Sequence, residues 1–196
     1  MNLIQYVVIL GALVQLLGVV SYIKETVRGN TKPNRVTWLM WSVAPLIGSI
    51  AAFSDGVRWA ALPVFTSGFF PLLVFIASFV NPKSYWELKK FDYLCGLCSA
   101  LALLLWGITK EPIVAILFAI ASDGFAATPT LIKSWRRPET ETLDVYTASL
   151  FSVMTSFLAM KTWSFAEYAF PAYLTILNLC LIFAISRRRF VKTKAV

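Results

Sequence analysis

Asp123 is the residue whose chemistry is hardest to reconcile with its neighbours. It stands inside the run IVAILFAIASDGFAATPTLIK, ten residues before Lys133. At a helical rise of ~1.5 Å per residue the carboxylate lies ~15 Å from that basic edge. Ionisable residues at such depth in a bilayer are costly, usually face a cavity and are functional candidates. Burial disfavours the charged form of a carboxyl group, so proton exchange is the chemistry it could supply. The structural alternative is a hydrogen-bonded aspartate that holds Ser122 or a neighbouring helix.

No other acid falls so deep. Asp55, Glu111 and Glu167 fall at turns on one side, and Glu25, Glu87, Asp92, Glu139, Glu141 and Asp144 at turns on the other. The chain has no histidine, which removes the usual general base, the commonest metal ligand and most hydrolytic triads. Cys95 and Cys98 have CxxC spacing inside an apolar run, without a second pair. They read as small buried residues rather than a redox or zinc motif. An enzyme is therefore not expected, nor a metal or cofactor.

Prolines and tryptophans form the next tier. Pro129 removes a backbone donor from its helix and frees a carbonyl near Phe125, a place for a hinge, although prolines are also ordinary in membrane helices. Pro45, Pro63, Pro71 and Pro171 compete for that role. Trp38 and Trp41 are three residues apart and share a face, with Trp41 placed to stack on a ligand and Trp38 nearer the interface. Trp59, Trp86, Trp135 and Trp163 fall at helix ends, where aromatic belts anchor helices.

The elements that must position these residues follow from composition. Of 196 residues 58% are hydrophobic and 14% charged, against ~25% charged in soluble domains. Roughly 20 apolar residues cross a bilayer as a helix, and seven runs approach that length: Leu3–Ile23, Val36–Phe53, Ala60–Val80, Phe91–Ile108, Pro112–Trp135, Val145–Met160 and Tyr168–Ser186. The first lacks a basic leader and a cleavage site, so it reads as a retained helix. The expected fold is thus all-α, an integral membrane protein with seven transmembrane helices.

If the spans alternate, fifteen basic residues fall on one side and Arg58, Lys110 and Lys161 on the other. The positive-inside rule then predicts an outside N-terminus and a cytoplasmic C-terminus; a cell (plasma) membrane is the expected location. The net charge of +8 marks a lipid boundary rather than a nucleic-acid surface. Arg187-Arg188-Arg189 reads as a stop-transfer anchor.

The halves repeat. With a constant offset Pro63 meets Pro171, Phe65 meets Tyr173, Ser67 meets Thr175, Phe70 meets Asn178 and Ser78 meets Ser186. Ile23-Lys24 meets Ile132-Lys133, and after one gap Thr37 meets Thr147. The chain divides into a first three-helix repeat (1–82), a linker helix (83–110) and a second three-helix repeat with a basic tail (111–196). An odd linker gives both repeats the same orientation, the layout of transporters that bind solute between parallel repeats.

Pro129-Thr130-Leu131-Ile132-Lys133, followed by Thr140-Glu141-Thr142-Leu143-Asp144, resembles the PQ-loop motif of the MtN3/SWEET superfamily, with Thr130 in place of the glutamine. The first repeat has neither residue of the pair. This resemblance implies two parallel three-helix bundles joined by a linker helix (3+1+3) and alternating-access transport of a sugar, amino acid or related metabolite. It nominates Asn178 for substrate hydrogen bonding, with Trp41, Ser67, Thr175 and Phe70 around it; inter-helix bonding by Asn178 is the alternative. It implies hinging at Pro129, Pro63 and Pro171, and the depth of Asp123 adds proton coupling. Gln15, Thr37, Ser42, Thr147 and Ser152 are lesser candidates. The expected partners are a small-molecule solute and the lipid bilayer, with no nucleic acid; self-association into a homo-oligomer stays open. A non-transporting receptor or cargo-binding protein on this fold is the alternative function, and a membrane-embedded enzyme is third.

Overall fold

The computed structural model describes residues 3–54, 62–109, 111–160 and 163–193. Among these residues the protein is all-helical, without a strand. Its seven helices are α1 Leu3–Arg28, α2 Arg35–Ser54, α3 Leu62–Ala77, α4 Lys90–Ile108, α5 Pro112–Arg136, α6 Asp144–Ala159 and α7 Phe165–Thr193. Short 3-10 turns at Pro82–Ser84 and Pro138–Thr140 precede α4 and α6.

Four stretches are long and apolar enough to cross a membrane: Tyr6–Arg28, Lys90–Ile108, Ile113–Arg136 and Glu167–Arg187. Their outward faces carry large apolar side chains. Leu17 is 69% exposed, Leu104 66%, Ile108 76% and Ile176 63%. Water would penalise faces of that kind, whereas a bilayer solvates them. The chain therefore has the build of a multi-pass helical membrane protein.

Local signals set the helix ends. α1 runs past its apolar stretch through Lys24–Arg28 and stops at Gly29, whose φ of 86° is left-handed, a conformation glycine adopts without steric cost. Asn34 starts α2, its side-chain oxygen accepting from the Val36 N–H at 3.1 Å and the Thr37 N–H at 3.3 Å, the standard use of an N-cap. Pro112 opens α5, where a missing N–H costs nothing.

α3 packs against both α1 and α2, and α7 against both α5 and α6. Among the described residues the backbones of α1 and α2 do not approach one another, nor do those of α5 and α6. Across the middle α1 lies on α6 and α2 on α5, while α4 adds to the α2 and α5 side. The α1–α6 approach is close because Gly18 has no side chain: a Cβ there would stand 2.9 Å from the Asp144 carbonyl oxygen. Small residues at such crossings let membrane helices pack by van der Waals contact.

Val19, Tyr22, Trp38, Val74, Val145, Tyr146, Leu181 and Ile185 form the core where α1, α2, α3, α6 and α7 meet. Trp38 is 3% exposed and packs on Tyr22 with ring centroids 4.9 Å apart, so it is a core residue and not an interfacial one. The turns beyond this core interlock at a single end. Lys32 N–H donates to the Thr140 carbonyl at 2.9 Å, Asn81 Nδ2 to Val27 at 2.8 Å and Arg35 Nη2 to Ser78 at 2.8 Å. Arg58, Trp59, Asp55, Lys110 and Lys161 lie outside the described residues.

Candidate functional site

The polar side chains inside the helix bundle form two layers, a cavity and a plug beside it. The cavity measures about 180 Å³ and is walled by α1, α2, α3, α5, α6 and α7. Asp123, Asn178, Trp41, Ser67 and Phe70 all line it, together with Gln15, Trp38, Tyr146 and Ser149. A second cavity of about 300 Å³ reaches toward α4 and shares Trp41, Pro45, Ser67, Asp123 and Phe170 with the first. Asp123 thus stands on the partition between them. Among the described residues no lysine or arginine lines either space.

Tyr173 on α7 holds the carboxylate, its hydroxyl donating to Asp123 Oδ2 at 2.8 Å. The Trp41 indole N–H is a second donor beside Asp123, but it closes to no hydrogen bond of normal length. Ser122 turns the other way and bonds to Ser99 on α4, donating to its carbonyl at 2.9 Å. Asn178 donates one amide hydrogen to the Leu174 carbonyl at 2.8 Å, leaving the rest of its polar edge on the cavity. Trp41 meets Trp38 edge to face with centroids 5.3 Å apart. The result is an aromatic wall with one acid, two amides and a few hydroxyls, suited to a small polar solute.

Other candidates lie elsewhere. Thr175 donates to the Pro171 carbonyl within α7 at 2.9 Å and does not line the cavity. Pro129 is inside α5 but borders a groove at the basic end, and Pro171 is inside α7 beside a shallow site near Glu167. Pro63 is the second residue of α3, and its side chain lies outside the described set. The prolines that do line the cavity are Pro45 and Pro71. Thr37 donates to the Ala126 carbonyl at 2.6 Å and Thr130 donates to Thr37 at 2.9 Å, which ties α2 to α5. Thr147 bonds within its own helix.

The plug is built around Glu141. Lys133 Nζ and Glu141 Oε1 form an ion pair with side chains 1% and 0% exposed. Glu141 Oε2 accepts from Tyr22 at 2.8 Å and Tyr146 at 3.1 Å. Lys133 also donates to the Lys32 carbonyl and stands 5.3 Å from the Trp86 ring centroid. Asn34 donates to the buried Asp92 at 2.8 Å close by, and Ser21 to Asp144. Lys133 reads in the sequence as a boundary marker and Glu141 as part of a turn; neither is exposed. A buried phenol needs a partner, so Tyr22 and Tyr146 were the available signal for this cluster.

Cys95 is buried, Cys98 half-buried and Cys180 exposed, all as free thiols. No group of three His, Cys, Asp or Glu side chains that could hold a metal ion occurs among the described residues. No family model, no curated protein and no solved structure gives a match to this chain.

Proposed function

We propose that this chain is a seven-span membrane transporter that moves a small polar solute through the cavity around Asp123. The carrying observation is that helices from both halves of the chain wall that cavity. The packing agrees with a 3+1+3 arrangement. Exchanging α1, α2 and α3 for α5, α6 and α7 leaves every backbone approach between those helices in place: α1–α3 becomes α5–α7, α2–α3 becomes α6–α7, and α1–α6 becomes α5–α2. Only α4 has no counterpart. Two like bundles around a shared polar cavity can rock about it and alternate access. This arrangement and the degenerate Pro129-Thr130 pair together support a PQ-loop/SWEET-like assignment. The gathering of basic turns at one end supports a cytoplasmic C-terminus.

In this reading Asp123 carries the coupling proton, with no basic side chain among the described residues beside it to hold it charged. Tyr173 and Trp41 orient it, and Asn178, Gln15 and Ser67 contact the solute. The interlocked turns and the Glu141 plug close the basic end, so the state described is shut on that side.

Purified protein in proteoliposomes tests this. Uptake of labelled sugars and amino acids is measured with and without an imposed pH gradient. The expectation is flux that responds to the gradient and loses that response in Asp123→Asn. Binding without flux under any gradient would replace transport by the receptor reading.

A further inference from the structure

The outward surface of α5 carries two grooves that share one ridge. Toward α4, a groove of about 510 Å³ is lined by Phe91, Pro129 and Ile132 with the cationic Lys89, Arg136 and Arg137. Toward α7, a groove of about 460 Å³ is lined by Leu131, Ile132, Trp135, Phe183 and Ala184, with Arg136 as its charged residue. Ile132 and Arg136 line both; four residues apart on a helix, they lie one above the other.

Arg136 stands out among its basic neighbours. Lys133 is paired with Glu141, Arg187 lies 4.0 Å above the Trp135 ring and Arg35 3.8 Å above Phe79. Arg136 has no hydrogen bond, ion pair or ring contact among the described residues. Asp92 also borders the groove, but its carboxylate is buried and taken by Asn34 at 2.8 Å and the Lys89 N–H at 2.6 Å. Arg137 reaches Glu139 only at 3.9 Å. The apolar stretch Ile113–Arg136 ends at this residue, which sets its guanidinium at headgroup depth.

We propose that this face holds a phospholipid with an anionic headgroup. Its phosphate sits on Arg136 with Lys89 and Arg137, and an acyl chain follows Leu131, Trp135 and Phe183. Arginine matches phosphate through paired N–H donors, and basic pockets between membrane helices on the positive side select anionic lipids. A free phosphate would use the cations but leave the apolar groove unfilled.

The test is native mass spectrometry of the full chain in detergent. It is titrated with phosphatidylglycerol, phosphatidylcholine of the same acyl chains, and inorganic phosphate. The first phosphatidylglycerol should bind about tenfold more tightly than phosphatidylcholine. In Lys89→Gln/Arg136→Gln that preference should fall to about twofold or less, while Arg28→Gln, whose arginine is paired with Glu25 at 2.7 Å, should keep it. Equal binding of the two lipids by the wild type overturns the proposal, even if the variants fail to fold. So does an equal loss in Arg28→Gln, which would mark a diffuse surface field, and so does displacement of phosphatidylglycerol by millimolar phosphate.

Discussion

Replacing Glu141 with alanine should destabilise the protein more than any exposed substitution at the same end. Lys133 is 1% exposed, so its ammonium would lose its counter-ion where water cannot replace it. Removing one partner of a buried ion pair costs ~3–5 kcal/mol. Tyr22 and Tyr146 would lose their acceptor as well, but deletions inside one network overlap and their costs are not added. For a chain of this size ~2–4 °C accompanies each kcal/mol, giving a fall of about 6–20 °C in Tm. Thermal unfolding in detergent reads this through tryptophan fluorescence, to which Trp38, 4.9 Å from the Tyr22 ring, contributes. The decisive comparison is Lys133→Met/Glu141→Gln. Glutamine still offers an acceptor to both phenols and methionine fills the space of the lysine stem, so most of the loss should return. A Glu141→Ala variant within ~1 kcal/mol of wild type would refute the claim that the pair is buried and coupled. A double variant as unstable as the single one would refute the claim that the unpaired charge is the cause.

Three further outcomes follow from single contacts. Asn34→Ala removes both the α2 cap and a donor to Asp92 and should cost about 2 kcal/mol, seen as faster amide exchange at Val36 and Thr37. Thr130→Val cuts the bond to Thr37 and should cost ~0.6–1.7 kcal/mol in the same unfolding assay; no change would remove that bond from the α2–α5 contact. Gly18→Val forces a side chain onto the Asp144 carbonyl and should cost about 1–3 kcal/mol, whereas Gly107→Val, with no atom within 4 Å of its would-be Cβ, should be neutral.

Much of the helix layout was legible because lipid imposes it. The run expected at Val36–Phe53 is α2 Arg35–Ser54, and that expected at Val145–Met160 is α6 Asp144–Ala159. Ends misjudged by apolarity alone lie where charged residues continue a helix. Lys24–Arg28 extends α1, and α7 runs on to Thr193, because lysine and arginine are good helix formers. Asp123 was conspicuous as one charge in an apolar run. Glu141 was not, since its partners Tyr22 and Lys133 are 119 and 8 residues away and a polar turn gives no sign of being covered. Trp38 reads in the sequence as nearer the interface than Trp41, but packing against Tyr22 places it in the core. Pairings made by tertiary packing leave no periodicity to detect.

The plug and the cavity share one side chain. Tyr146 lines the cavity, and its hydroxyl donates to Glu141 at 3.1 Å. Trp38 makes a similar link, lining the cavity while it packs on Tyr22, the other phenol on Glu141. A movement that parts the two halves at the basic end separates Lys133 from the Lys32 carbonyl and Glu141 from Tyr22. A released Tyr22 would turn against Trp38, which lines the cavity on which a solute would rest. The reverse holds too, since a solute that displaces Tyr146 or Trp38 weakens the acceptor arrangement that keeps the ion pair dry. The ion pair itself lies within the second half, but Tyr22 and the Lys32 carbonyl of the first half help to bury it, so it is intact when dry and unfavourable when half-open. In the proposed transporter, placing that contact one aromatic ring from the cavity would let occupancy bias the opening of the basic end.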